Sequence, residues 1–287
     1  MQLIIGSAQF GRSYGIQKKK ITKKVLEKIY YTCKKNKINF IDTAQNYGES
    51  EKLIGRSKLN KLKIITKLII PKKLTESRIP SYLEDYFKKT ISKLGVENLY
   101  AVLIHDISIF NNKNKDQILK FFNDLKKRGL IKFFGASVYS PTDLKVLFRY
   151  FKPDLIQFPL NIFDQRFLKN NLIKKLKKKR ILLASRSCFL QGFLLQQINY
   201  NPKFKLKKFY SSLKEVDNWC VKRKISRLDA CIHFVKKNNM IDYMVVGYDD
   251  ISNLKNIIIS FKKKQIKITK KFKNRNKNLI DPRKWKP

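Results

Sequence analysis

Short apolar runs alternate with longer stretches of helical period along almost the whole chain, and this alternation most constrains its fold. The runs fall at residues 3–5, 38–41, 63–66, 100–104, 131–135, 154–158, 180–184 and 243–246. Between them the period changes. In 22–35, Val25, Ile29 and Cys33 recur every fourth residue; in 81–94, Tyr82, Tyr86, Phe87, Ile91 and Leu94 trace one helix face. Ser140-Pro141-Thr142-Asp143 reads as a helix start, with Ser at the cap, Pro in the first turn and Asp at the positive end. Strands separated by helices run parallel through right-handed crossovers. A continuous apolar strand such as Tyr100-Ala101-Val102-Leu103-Ile104 suits a sheet covered on both faces.

Eight such units in 287 residues predict an α/β fold, a (β/α)8 barrel. An open doubly wound sheet would carry Gly-x-Gly-x-x-Gly after its first strand. The ten glycines contain no Gly-x-Gly and no Gly-x-x-x-x-Gly-Lys loop. The barrel is expected over residues 1–262 as a single domain. A basic tail, 263–287, follows, and Trp285 is expected to dock it onto the barrel. Residues 199–208 read as a long basic loop.

Hydrophobic residues make up 43% of the chain, enough for a sizeable core, so a disordered chain is excluded. The 65 Lys and Arg against 21 Asp and Glu give a net charge of +44. Lysines are spread along the whole chain beside many Asn and Ile, as expected of drift toward A/T-rich codons. A polyanion binder would concentrate its charge. Salt-sensitive sticking to nucleic acid is expected, specific recognition is not. The same repulsion favours a monomer. Cys33, Cys188, Cys220 and Cys231 form no Cys-x-x-Cys pair, and two histidines are too few to support a zinc site. Reduced thiols, no metal, no membrane span and no signal peptide in the first residues lead to a cytoplasmic expectation.

Barrel chemistry sits where strands end. Strand 2 ends in Asp42, with Tyr47 in the following loop; strand 3 ends at Thr66-Lys67; strand 4 ends at His105-Asp106. Three consecutive strands thus bring Asp, Tyr, Lys and His to one rim. Taken singly, Asp42 is also a plausible turn cap, Tyr47 a packing ring, and Lys67 one lysine among many. His233 lies in a helical run and reads as a helix-face residue. Tyr30 and Lys34 form a Tyr-x-x-x-Lys pair, but on an amphipathic helix without a glycine-rich loop.

The segment Asp42-Thr43-Ala44-Gln45-Asn46-Tyr47-Gly48, with Lys67 and His105 on the next two strands, resembles the aldo/keto reductase family. The resemblance extends to Gly6-Ser7-Ala8-Gln9-Phe10-Gly11, Gly135-Ala136-Ser137, Gln157 with Asn161, Gln191-Gly192 and Val246-Gly247. It implies an oxidoreductase that moves a hydride between nicotinamide and an aldehyde or ketone. Tyr47 would donate the proton, Lys67 activate it, Asp42 orient Lys67 and His105 anchor the carbonyl. The chemistry is consistent: a carbonyl taking hydride develops charge on oxygen and needs an aimed proton donor. A free tyrosine titrates near ~10, and a buried ammonium beside a tyrosine favours its phenolate. The hydride itself must come from a cofactor.

The resemblance also implies a cofactor set: Ser7, Asp42, Ser137, Gln157, Arg186, Ser187, Gly247 and Asn253. Ser137 and Gln157 would hold the carboxamide, but Val138 replaces the usual Asn beside the serine. Arg186 stands where an aromatic ring usually stacks on nicotinamide. Its guanidinium can stack there, bind an anionic substrate or pair with a rim carboxylate. At the adenosine end Asn253 replaces the usual Arg, and Asp249 and Asp250 bring carboxylates. Asp250 alone reads as a helix N-cap. The family favours NADP; an acid facing the ribose would favour NAD. The tail motif Asp281-Pro282-Arg283-Lys284-Trp285 and Phe189-Leu190-Gln191-Gly192 resemble members associated with sugar and surface-polysaccharide chemistry, so a sugar or sugar derivative is the expected substrate class. The alternative is a barrel kept as a binding or regulatory subunit.

Overall fold

A computed structural model describes residues 1–10, 23–71, 74–111, 115–197, 209–268 and 272–285. Gly11, the basic loop at 199–208 and parts of the tail (269–271 and 286–287) lie outside the described residues. The strands are β1 (Gln2–Gly6), β2 (Phe40–Asp42), β3 (Lys63–Leu68), β4 (Leu99–Ile104), β5 (Ile131–Ser137), β6 (Leu155–Pro159), β7 (Leu182–Arg186) and β8 (Tyr243–Val246). They close into a barrel in sequence order, and every pairing is parallel. The predicted (β/α)8 architecture is the observed one.

Helices α1 (Lys23–Lys35), α2 (Ser50–Gly55), α3 (Ile79–Leu94), α4 (Lys115–Lys127), α5 (Pro141–Tyr150), α6 (Leu172–Lys178), α7 (Tyr210–Lys222), α8 (Arg227–Lys236) and α9 (Ile251–Lys262) cover the outside, and a short α10 (Lys277–Ile280) lies in the tail. None of the described helices is long and apolar enough to cross a membrane. The predicted start of α5 forms as expected: the Ser140 backbone N–H donates to the Asp143 carboxylate at 3.0 Å, with Pro141 in the first turn.

Strand residues alternate between two cores. Ile5, Ile41, Ile64, Val102, Ile104, Ala136, Leu183 and Val246 face the helices. Ile4, Phe40, Ile65, Ala101, Leu103, Leu155, Ala184 and Val245 fill the barrel. Gly135 is required at the β5–β6 seam, where a Cβ would lie 1.8 Å from the Leu155 carbonyl oxygen.

Two strands start later than their apolar runs. Residues 38–41 were expected to form β2, but Lys37 is left-handed (φ 57°) and the Ile38 N–H still donates to Cys33 O, so pairing starts at Phe40. Residues 180–184 were expected to form β7, but Arg180 is left-handed (φ 59°) and Ile181 N–H donates back to Leu176 O. That strand starts at Leu182 and ends at Arg186, which puts the arginine at the strand end. The tail packs on the barrel's helices. The Lys237 ammonium donates to Ile268 O, the Trp219 and Phe272 rings meet edge to face, and the Trp285 ring lies against Phe193.

Candidate active site

The C-terminal ends of the strands open into a cavity of about 670 Å³. Asp42, Tyr47, Lys67 and His105 all line it. Lys67 leaves β3 toward the barrel axis, while Thr66 turns outward and donates to the Glu51 carboxylate at 2.9 Å. The Lys67 ammonium is almost fully buried. It donates to Asp42 Oδ2 at 2.6 Å, to Thr43 O at 3.0 Å and to Tyr47 Oη at 3.5 Å. A buried ammonium is tolerable only with such partners.

The loop carrying Tyr47 is stapled from below. Its N–H donates to Ala44 O, and Gly48 follows with φ 59°. The Ser50 hydroxyl donates to Ser7 Oγ at 2.6 Å and lies 3.0 Å from Thr43 Oγ1. Ser7 is fully buried in this trio, behind the cavity wall, which is formed by Gly6, Ala8 and Gln9. Ser7 is not among the residues that line the cavity; it braces the loops after β1 and β2.

His105 is held by its backbone N–H, which donates to Leu68 O at 2.9 Å. Burial pushes its pKa down to about 4, helped by the positive charges of Lys67 and Arg186. The ring is therefore neutral near pH 7, able to donate one hydrogen bond without adding charge.

The Gln157 amide N–H donates to Asp42 Oδ1 at 2.8 Å, while its buried Oε1 has no hydrogen-bond partner among the described residues. Gln157 lines the same cavity as Ser137. A carboxamide N–H is the kind of donor it lacks, so these residues fit the nicotinamide amide. Val138 cannot replace the usual Asn. Its side chain is buried in the outer core, and only its carbonyl is used.

That carbonyl accepts from Arg186 Nη2 at 3.2 Å, and Arg186 Nη1 donates to Ser187 Oγ at 3.2 Å. The guanidinium lies over the Tyr139 ring, 4.5 Å from its centre. Its described partners include no carboxylate, which corrects the rim-carboxylate alternative. Ser187 lines the cavity with a left-handed backbone, φ 59°.

At the far end Gly247 and Asn253 line the cavity. Asp250 caps α9 by accepting the Asn253 N–H at 2.8 Å. Asp249 accepts from Gln9 Nε2 at 3.3 Å and faces the cavity. Asn161, quoted with Gln157 in the sequence pattern, is a loop brace: it accepts from the Phe163 and Asp164 N–H groups and donates to Ser187 O.

Tyr139, Arg227 and Arg283 also line the cavity and were not singled out in the sequence. Arg283 belongs to the tail motif, but only Trp285 could be read there, because an aromatic in a polar tail asks for a partner and one more cation does not. His233 is fully buried in α8, its Nδ1 accepting from the Ile266 N–H at 3.3 Å, in keeping with the helix-face reading. All four cysteines are buried free thiols.

A profile of the aldo/keto reductase family matches residues 2–274, and the chain belongs to that family, whose members are NAD(P)-dependent oxidoreductases. A glycerol dehydrogenase from Gluconobacter oxydans superposes with a TM-score of 0.70 at 19% identity, covering 92% of this chain and 87% of that one. The holo form of an aldo-keto reductase from Bacillus halodurans gives 0.70 at 15%, covering 93% and 88%. At these identities the likeness is one of fold. An uncharacterized oxidoreductase of Bacillus subtilis is 22% identical over 173 residues, 56% of this chain. That match spans about half of the curated relative, 54% of its length.

Proposed function

We propose that the chain is an NAD(P)H-dependent carbonyl reductase that interconverts an aldehyde or ketone with its alcohol. The observation that carries this reading is the buried Lys67 ammonium, held by Asp42 and within 3.5 Å of the Tyr47 hydroxyl. When bound, nicotinamide supplies or accepts the hydride. Ser137 and the orphan Gln157 acceptor orient its carboxamide. His105 donates a hydrogen bond to the substrate oxygen. Tyr47 gives that oxygen its proton, and the Lys67 charge, fixed by Asp42, steadies the phenolate left behind.

A sugar or sugar derivative is the proposed substrate class. The glycerol dehydrogenase among the structural neighbours acts on a polyol by its name, and the cavity offers Asn46, Gln191 and Asn256 as polar walls. NADP is the family's expectation. A specific observation favours NAD instead: Asp250 already occupies the α9 N-terminus, and Asp249 adds a carboxylate to the wall beside it.

Tryptophan fluorescence, titrated with NADPH and NADH at a salt level that suppresses charge-driven binding, tests both parts. Saturable binding of either supports the reductase, and the tighter one identifies the coenzyme. Binding of neither sinks the proposal.

A further inference from the structure

The cavity cations do not share the chain's composition. Arg accounts for 12 of its 65 cationic residues. Yet among the described residues the four that line the cavity are Lys67, Arg186, Arg227 and Arg283, against two carboxylates, Asp42 and Asp249. Drift toward lysine explains the outer surface and leaves this cluster unexplained. Lys67 is paired with Asp42, and Arg227 with Asp217 at 2.9 Å. The other two meet at one ring. Arg186 lies 4.5 Å and Arg283 3.8 Å from the centre of Tyr139. Tyr139 in turn stands edge to face with His105, ring centres 6.4 Å apart. The two guanidiniums therefore stand one ring beyond the residue assigned to the reacting carbonyl.

Their remaining contacts leave donors to spare. Among the described residues Arg186 bonds the Val138 carbonyl and the Ser187 hydroxyl, both neutral. Asp281 takes Nε and Nη2 of Arg283, at 2.9 and 2.6 Å, and Nη1 has no partner among the described residues. Guanidinium forks match the geometry of carboxylate and phosphate oxygens.

We propose that Arg186 and Arg283 form an anion-reading subsite, so that the preferred substrates are carbonyl compounds bearing a carboxylate or phosphate a few bonds from the carbonyl. The inference rests on the reductase reading for its carbonyl half. Its anion half stands apart from that reading.

The test compares succinic semialdehyde with butanal, and glyceraldehyde 3-phosphate with glyceraldehyde. The charged member of at least one pair is expected to be favoured by about tenfold or more in kcat/KM, mainly through KM, and the pair that shows it identifies the anion. Arg283→Gln lowers that preference by about tenfold. Arg128→Gln, on the exposed outer surface, keeps it. No preference in either pair overturns the proposal. So does an equal loss in Arg128→Gln, which would make the effect one of overall charge. Weaker NADPH binding in Arg283→Gln with the preference intact would assign the arginine to cofactor phosphate, and also overturns it. Calorimetric titration with succinate separates the two readings should no carbonyl be reduced. The same titration is run with inorganic phosphate: saturable binding of either anion, lost in Arg283→Gln, upholds the subsite on its own, and binding of neither overturns it.

Discussion

The two ends of the barrel are built from the same strands and solve opposite problems. At the N-terminal end, Phe40, Tyr100, Phe133 and Tyr243 close the barrel with edge-on and tilted rings, centres 4.9 to 6.4 Å apart. The polar atoms there answer one another: the Tyr100 and Tyr243 hydroxyls lie 2.6 Å apart, and burial holds Tyr243 well above the usual tyrosine range. At the C-terminal end the polar groups are as buried but are left with capacity. Lys67 reaches a tyrosine as well as a carboxylate, and Gln157 keeps an unanswered acceptor. Burial alone does not separate these two ends; what differs between them is the hydrogen-bonding capacity left over.

The contrast can be broken most sharply at Tyr47. Tyr47→Phe is expected to lower kcat/KM by about 10²- to 10⁴-fold while the melting curve barely moves. Steady-state kinetics with calorimetry checks it, and normal turnover would remove the proton donor from the scheme. Asp42→Asn moves both quantities. It leaves the buried Lys67 ammonium without its counter-charge, at a cost of about 3–5 kcal/mol in urea unfolding, with activity lost as well.

His105 sharpens the comparison through pH. Its folded pKa is about 4 against the ordinary histidine value of 6.5, so between those values the unfolded chain binds more protons. Stability carried by neutral His105 is present above pH 6.5, falls as pH drops from 6.5 to 4, and changes no further below. The full effect is on the order of 3 kcal/mol. His105→Asn should flatten the acid limb of the stability profile in that window; an unchanged slope would show that the imidazole is not buried as described. The smallest effect belongs to the sealed end. Tyr100→Phe strands the Tyr243 hydroxyl and should cost about 1–3 kcal/mol, with kinetics untouched. A kinetic defect there would mean the two ends are not independent.

Much of this was legible in the sequence because the barrel repeats one unit eight times, so each apolar run confirms its neighbours. The rim residues at 42, 47, 67 and 105 could be read because strand ends are where barrel side chains face the cavity. What resisted reading has physical causes. Lys37 and Arg180 end their helices in left-handed turns without glycine, and no residue type announces that, so both following strands were placed two residues early. Ser7 lies one residue past a strand end, like a ligand-binding serine, and only its contact with Ser50 shows that it faces inward. Tyr139 and Arg283 are distant in sequence and meet only once the tail folds back, a long-range contact that local pattern does not encode.

The hydrogen bond from Gln157 to Asp42 has a mechanical side. Its residues stand on β6 and β2, four strands apart whichever way the ring is followed, so they are on facing walls. The bond is a strut across the mouth. A load applied at one wall, such as an amide pressing on Gln157, is delivered to the opposite wall at Asp42 and from there to Lys67. The mouth thus answers as a frame: the positions of Gln157 and of the Lys67 ammonium are coupled through one carboxylate.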